Sequence, residues 1–83
     1  MKTQTVIYRH KAKSVVCFRE AANIIKVIKQ HNSEVELIRG SKTGTAASIL
    51  SIINLLIDYD ATVVIKAIGP DAEETVQALV KII

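Results

Sequence analysis

Two strand-like stretches joined by a tight turn most constrain what this chain can fold into. Residues 34–38 alternate charged and aliphatic side chains, which is the pattern of a strand covered on one face. Residues 39–42, Arg-Gly-Ser-Lys, form a turn, and residues 43–45 are expected to return as a short strand. Because helical stretches lie on both sides of this pair, the sequence predicts a mixed or antiparallel sheet covered by helices on one face.

The residues before this pair divide into a strand and a helix. Residues 3–8 are rich in β-branched and aromatic side chains, which predicts a strand. Residues 9–14 are expected to follow as a basic loop. Apolar side chains then recur at helical spacing between residues 18 and 30, with Glu20 in the first turn, and residues 31–33 end this helix.

The residues after the pair begin with a short helix. Ser48 is a favoured N-cap residue and predicts that this helix starts directly after it. We expect Ile52 and Leu56 to be buried, and Leu50 to be exposed together with Phe18 of the first helix. The side chains that share the apolar face of the short helix are Ile49, Ile52, Ile53 and Leu56.

The last two elements are a strand and a helix. Residues 62–68 have the clearest strand composition in the chain. Pro70 is expected at the first position of the last helix, with Asp71, Glu73 and Glu74 in its first turn. The predicted order is β-α-β-β-α-β-α, an α+β fold. The expected buried stripe of the last helix is Ala72, Val76, Leu79, Val80 and Ile83.

Composition limits the class of protein. The 83 residues allow a single domain, residues 1–83, and a hydrophobic content of 49% argues against disorder. One cysteine, Cys17, excludes an internal disulfide framework and a multi-cysteine zinc site. His, Cys and acidic residues lack the spacing of a metal site, and no stretch is long and apolar enough to span a membrane. Without a leader of secretory type, the protein is expected to be cytoplasmic.

The net charge of +3 is unevenly distributed along the chain. Residues 1–42 carry nine basic and three acidic side chains, and many of the basic ones lie near His10 and Ser14. This cluster is either a solvated face or an anion site. Nucleic-acid binding is a weaker reading because stacking aromatics and a recognisable binding motif are absent. The clustered cations are Arg9, Lys11, Lys13 and Arg19.

The second half of the chain resembles a known family. Residues 42–55, KTGTAASILSIINL, are similar to the regulatory-serine region of the histidine-containing phosphocarrier protein HPr. Residues 61–74, ATVVIKAIGPDAEE, look like the last strand and the start of the last helix of that family. The resemblance implies an open-faced β-sandwich, in which three helices cover one face of a four-stranded antiparallel sheet. It also implies a bacterial protein of the sugar phosphotransferase system that is not an enzyme and needs no cofactor.

The chain departs from the family at the residues that carry phosphate. The stretch that matches the family's phosphohistidine motif is VVCFREA, residues 15–21, in which Cys17 stands at the histidine position and Glu20 replaces a proline. Arg19, which the family uses to stabilise phosphate, is retained, and Ser48 matches the serine that an ATP-dependent kinase phosphorylates. This combination resembles the catabolite-repression HPr-like proteins. His10 and His31 do not align with the motif and are expected at the surface.

The resemblance leaves several roles open. A regulatory protein is the leading hypothesis, with Ser48 as its phosphorylation site. Cys17 is either a packed apolar residue, a phosphoryl acceptor in an active phosphocarrier, or a redox-active thiol, and a plain interaction domain is a further alternative. The expected partners are phosphotransferase-system proteins, the HPr kinase and a carbon-regulation transcription factor, without direct contact to nucleic acid. The side chains expected to bind partners are Phe18, Ile49, Leu50 and Ile53.

Overall fold

Seven elements form in the order that the sequence predicts. The computed structural model describes residues 3–83, and no helix within this range is long and apolar enough to cross a lipid bilayer. The elements are β1 (Gln4–Lys11), α1 (Phe18–Lys29), β2 (Glu34–Arg39), β3 (Lys42–Thr45), α2 (Ile49–Ile53), β4 (Thr62–Gly69) and α3 (Ala72–Val80).

The four strands form one antiparallel sheet in the order β1-β4-β2-β3. The strand with the clearest β composition, β4, is therefore central, and its inward side chains Val63, Ile65 and Ala67 are fully buried. They pack in one core with buried residues of the helices, such as Ile24 of α1 and Leu79 of α3. The opposite face of the sheet stays open. The predicted open-faced sandwich is confirmed.

Two glycines shape the hairpin and its packing. Gly40 adopts a φ of +62° in the two-residue turn between the paired residues Arg39 and Lys42, a conformation that costs glycine little. At Gly44 of β3, a Cβ atom would lie 3.0 Å from the Ser51 carbonyl oxygen. The absence of a side chain at Gly44 therefore lets α2 pack directly on the hairpin.

Strand β1 is longer than predicted, which changes the surroundings of His10. Residues 9–11 continue the strand instead of forming a loop, because they pair with β4 from Val64 to Thr62. Strand alternation turns His10 towards the helices, so only 8% of its surface is exposed, and the expected surface position is wrong. His31 is also partly buried, and its Nδ1 lies 2.7 Å from the Val27 carbonyl oxygen.

Helix α2 is shorter than its apolar pattern suggests. It ends at Ile53, and Leu56 then adopts a φ of +54°, which turns its side chain outward. Leu56 is consequently 63% exposed, whereas Leu55 is buried in its place. The predicted burial of Leu56 is wrong, while the predicted burial of Ile52 and the exposure of Leu50 are confirmed.

Helix α3 begins two residues after Pro70, because Asp71 is the N-cap. The Asp71 carboxylate accepts hydrogen bonds from the Asn32 N–H and the Ser33 hydroxyl, which ties the turn after α1 to the start of α3. These hydrogen bonds hold the pKa of Asp71 below its ordinary value, and the bond from Ser33 contributes most. The Asp71 carbonyl also accepts a hydrogen bond from the Thr75 hydroxyl at 2.8 Å, so this hydroxyl is satisfied although Thr75 is buried.

Candidate functional site

The segment before α1 is fixed by backbone hydrogen bonds to the segment between α2 and β4. The Ala12 N–H donates to the Ala61 carbonyl at 2.8 Å, and the Val16 N–H donates to the Ile57 carbonyl at 2.9 Å. Ala12, Val16 and Ile57 are buried, so these bonds are shielded from water. The following residue, Cys17, is therefore held close to the end of α2.

Cys17 is the N-cap of α1 and is exposed to solvent. Its backbone N–H donates to the Glu20 carboxylate Oε1 at 3.0 Å, which is one half of a capping box. The start of a helix attracts anions because its first N–H groups lack partners within the helix. In this protein the Glu20 carboxylate accepts a hydrogen bond from the first of these groups, the Cys17 N–H.

An apolar groove of about 320 Å³ lies beside Cys17, between the start of α1 and the end of α2. We call it the helix-end groove. Phe18 and Leu56 line it and are 66% and 63% exposed. Exposed apolar side chains that border one groove make it a candidate surface for binding another molecule. The complete lining is Val15, Val16, Cys17, Phe18, Ile53, Leu56, Ile57 and Asp58.

The structure brings together only some of the residues predicted to bind partners. Phe18 and Ile53 line the helix-end groove, whereas Ile49 and Leu50 lie on α2 without lining it. Leu50 is exposed, and Ile49 is partly buried against the core. Leu56 lines the groove as well, although the helical period predicts it on the buried face of α2.

Ser48 caps α2 as predicted. Its hydroxyl oxygen accepts the Ser51 N–H at 3.3 Å, and the Ser48 side chain is exposed. The Ser51 hydroxyl donates to the Ser48 carbonyl at 2.6 Å and accepts the Thr45 N–H at 3.0 Å. The hydrogen bonds of Ser51 therefore hold the loop that carries Ser48 in place, while the Ser48 hydroxyl stays accessible.

The predicted basic cluster does not form one site. Arg9 and Lys11 alternate with the inward His10, so they lie on the open face of the sheet, and Lys11 is 4.0 Å from Asp60. Arg19 lies instead in the first turn of α1, in the helical layer, and forms no ion pair within residues 3–83. Of the four clustered cations, Arg19 is the nearest to Cys17 in the sequence.

His10, which the sequence predicts at the surface, is a buried titratable group. Its Nε2 atom is buried and has no hydrogen-bond partner within residues 3–83. Burial, and secondarily the nearby positive charge of Lys13, lower the pKa of His10 from its ordinary value of 6.5. Residues 3–83 contain no group of three or more His, Cys, Asp or Glu side chains that could hold a metal ion.

Comparisons with known proteins agree on one family. The family model for the PTS HPr component phosphorylation site matches residues 7–83. A phosphocarrier protein HPr from Bacillus anthracis is 27% identical, with a TM-score of 0.85 over 95% of this chain and 96% of that one. HPr-C-His from Thermoanaerobacter tengcongensis is 28% identical, with a TM-score of 0.76 over 94% and 88% of the two chains. A histidine-containing phosphocarrier protein from Mycoplasma, 23% identical over 94% and 88% of the chains, shares the fold with a TM-score of 0.72.

Proposed function

The chain belongs to the HPr family of phosphocarrier proteins of the sugar phosphotransferase system, and we propose that it is a regulatory member of that family. In this role Cys17 stands where carriers have the phosphoryl-accepting histidine. The protein would act by binding partner proteins in the cytoplasm, and phosphorylation of Ser48 would control that binding. It would not be an enzyme.

The hydrogen bond between Glu20 and the Cys17 N–H carries this proposal. A phosphoryl group on Cys17 would need N–H donors at the start of α1, and the Glu20 carboxylate already uses the first of them. The same carboxylate would repel the negative charge of the phosphoryl group at short range. Both effects oppose relay chemistry at this position, which supports a binding role.

The helix-end groove supports a partner-binding surface. The exposed side chains of Phe18 and Leu56 border it, and Leu50 extends the apolar surface along α2. Phosphotransferase-system proteins are the first candidates for the partner, together with the HPr kinase and a carbon-regulation transcription factor. Such a partner would cover Cys17 as well, because Cys17 lines the same groove.

Ser48 is the candidate for control of this surface. Ser48 is exposed in a loop that the Ser51 hydroxyl holds in place, so a kinase could reach the Ser48 hydroxyl without unfolding α2. A phosphate would add a charge of about −1.5 to −2 directly beside α2. The modification would change what binds to the surface and leave the fold intact.

A second candidate function, a phosphocarrier that uses Cys17, is favoured by the exposure of that thiol and by Arg19, which no acidic side chain within residues 3–83 neutralises. A thiolate would attack the phosphorus of the donor's phosphohistidine, form a sulfur–phosphorus bond and release the histidine nitrogen. The third possibility, an interaction domain without any phosphorylation, needs neither residue.

Phosphoryl uptake measured by intact-protein mass spectrometry distinguishes these functions. We expect a gain of one phosphoryl group with ATP and the HPr kinase, and no gain with phosphoenolpyruvate and the first enzyme of the system. Uptake from phosphoenolpyruvate that Cys17→Ser abolishes would establish the carrier and overturn our proposal. No uptake in either reaction would favour the interaction domain.

Ser48→Asp tests the regulatory role directly. We expect the fold to be retained, because Asp is also a good N-cap residue, and the affinity for a phosphotransferase-system partner to change several-fold. Isothermal titration calorimetry would measure the affinity, and Ser41→Asp in the exposed hairpin turn is the charge-matched control. An equal effect of the two variants would contradict a specific role of Ser48.

A further inference from the structure

The open face of the sheet exposes apolar side chains. In β4, Val63, Ile65 and Ala67 point towards the helices and are fully buried. The residues between them, Val64 and Lys66, therefore point to the open face. The strand register assigns the open-face residues of the neighbouring strands, because directly paired residues lie on the same face. The apolar side chains of this face are Ile7, which is 66% exposed, together with Ile38, Val64 and Ile68.

Apolar and charged corners alternate around one block of this face. Ile7 and Ile38 occupy two opposite corners of the block, whereas the other two corners carry opposite charges, positive at Arg9 and negative at Glu36. The block consists of two neighbouring rows across β1, β4 and β2, whose members are Ile7, Lys66 and Glu36 in one row and Arg9, Val64 and Ile38 in the other.

Each charged corner extends by one more residue of the same sign. Lys11 follows Arg9 on the open face of β1, and Glu34 precedes Glu36 on that of β2. We call Arg9 and Lys11 the basic corner, and Glu34 and Glu36 the acidic corner. Arg9 and Glu34 form no ion pair within residues 3–83. Lys11 and Glu36 form long and partly exposed ion pairs, at 4.0 and 3.9 Å, which are weak enough for both corners to bind charges from outside.

We propose that the open face binds the same face of a second copy of this chain. A two-fold axis that runs in the interface along the line from Ile7 to Ile38 would turn one sheet onto the other. The basic corner of each copy would then lie on the acidic corner of the other, and Ile7 and Ile38 would each contact their own counterpart. A second copy fits because the face is complementary to itself, so both charged corners are neutralised and both apolar corners are covered at once.

The size of the open face limits the strength of this dimer. Four strands about 4.8 Å apart make the face about 20 Å wide, so it buries less than the ~800 Å² per partner of a standard stable interface. We therefore expect a weak dimer that forms at high protein concentration. The helix-end groove lies at the ends of α1 and α2, in the helical layer, so the dimer would leave it free. Dimerisation does not depend on the regulatory role proposed above.

Sedimentation equilibrium between 50 µM and 1 mM protein would measure the dimer. We expect the average mass to rise with concentration above the 9.1 kDa of one chain. The dissociation constant should increase at least fivefold between 0.1 M and 1 M sodium chloride, over which the Debye length falls from about 10 Å to about 3 Å. In ¹⁵N NMR spectra, the signals that shift with concentration should be those of β1, β4 and β2. A protein that stays monomeric at 1 mM, or shifts confined to the helix-end groove, would overturn the proposal.

Charge reversal at the two corners tests the arrangement of the copies. Arg9→Glu with Lys11→Glu should abolish self-association, and so should Glu34→Lys with Glu36→Lys, because each double variant places like charges opposite each other. A mixture of the two double variants should restore dimerisation, because both pairs of facing corners then attract. Circular dichroism would check that each variant is folded. Two folded variants that do not associate when mixed would contradict the proposed arrangement.

A matched control separates the two corners from net charge. Glu73→Lys with Glu74→Lys on α3 adds the same charge as reversal of the acidic corner but lies outside the open face. This control should bind the Arg9→Glu, Lys11→Glu variant at least fivefold more weakly than the variant with the reversed acidic corner does. Equal binding would show general charge attraction and overturn a specific interface.

Discussion

At the scale of single residues, Glu20 determines the electrostatic surroundings of Cys17 at the start of α1. Its carboxylate accepts the Cys17 N–H at 3.0 Å and so occupies the place of an anion at the start of the helix. Under the role proposed for Cys17, both the phosphoryl acceptor and its surroundings differ from the family pattern. Introducing a histidine at Cys17 alone leaves this carboxylate in place.

We expect Cys17→His to take up phosphate weakly from phosphoenolpyruvate and the first enzyme, and Cys17→His with Glu20→Pro to take up clearly more. Proline is tolerated at Glu20 because N–H groups in the first turn have no partner within the helix. Intact-protein mass spectrometry would measure the phosphorylated fraction, and circular dichroism would check the fold.

Glu20→Gln is the matched control in the Cys17→His background. It removes the charge but can still accept the Cys17 N–H, so it separates repulsion from loss of the donor. If the glutamine variant takes up as much phosphate as the proline variant, charge repulsion is the cause of the weak uptake by Cys17→His. A folded but inert Cys17→His, Glu20→Pro variant would show that the docking surface has diverged as well, and would favour the interaction domain.

At the scale of elements, the hairpin and α2 form one unit that carries Ser48. Helix α2 has only five residues, which is too short to be stable by itself, so its position depends on contacts with β3. Ser51 provides hydrogen bonds to the Ser48 and Thr45 backbone, and Gly44 allows the close approach. The geometry around Ser48 is therefore a property of this unit.

Gly44→Ala should lower the free energy of unfolding by about 1–3 kcal/mol, because the new methyl group would crowd backbone atoms of α2. Its Cβ would lie 3.0 Å from the Ser51 carbonyl oxygen and 3.1 Å from the Ile52 Cα. Denaturant titration would measure the stability, and backbone NMR shifts of residues 48–53 would report the displacement of the helix.

Gly40→Ala is the control for the backbone effect of replacing a glycine. A Cβ at Gly40 would contact nothing within 4 Å, so only its φ of +62° makes the change unfavourable. We expect a loss of about 1–2 kcal/mol without displacement of α2. Displacement of α2 in both variants, or in neither, would contradict the role assigned to Gly44.

At the scale of the whole molecule, two titratable groups couple the fold to pH in different ranges. His10 lies between the sheet and the helical layer, and burial lowers its pKa in the folded protein. Asp71 joins the end of α1 to the start of α3, and its hydrogen bonds lower its pKa as well. Each lowered pKa makes the folded state bind protons less readily than the unfolded state, so in both cases the protein loses stability as the pH decreases.

The pH ranges distinguish the two groups. Below pH 6.5 the unfolded chain protonates His10 while the folded protein resists protonation, so the melting temperature should fall between pH 7 and 5. Asp71 contributes above its ordinary pKa, and this contribution is lost only in more acidic solution, below about pH 4. Differential scanning calorimetry across this range would measure both losses.

His10→Gln should remove the loss between pH 7 and 5, because glutamine does not titrate. Asp71→Asn should retain that loss, and it should lower the melting temperature at neutral pH through its weaker hydrogen bonds. A wild-type melting temperature that stays constant from pH 7 to 5, or an unchanged slope in His10→Gln, would contradict the role of His10.

The order of the elements, the hairpin and the inward side chains of β4 could be predicted from the sequence, because local alternation and periodicity report them directly. The cap at Ser48 was predictable from the capping preference of serine, and the exposure of Phe18 and Leu50 from the resemblance to the family's docking patch. The family motifs also placed Cys17 and Glu20 at the start of α1. The roles of Cys17 and Ser48 stay predictions until phosphorylation is measured.

Other features are decided only by the tertiary structure. Leu56 follows the helical period of α2, but the helix ends at Ile53, and a left-handed backbone turns Leu56 outward. His10 is buried because β4 extends β1 through the basic stretch. The helix-end groove combines the start of α1 with the segment after α2, which are distant in the chain. Local sequence reports which face of an element is apolar, whereas the packing of neighbouring elements determines which of those side chains are covered.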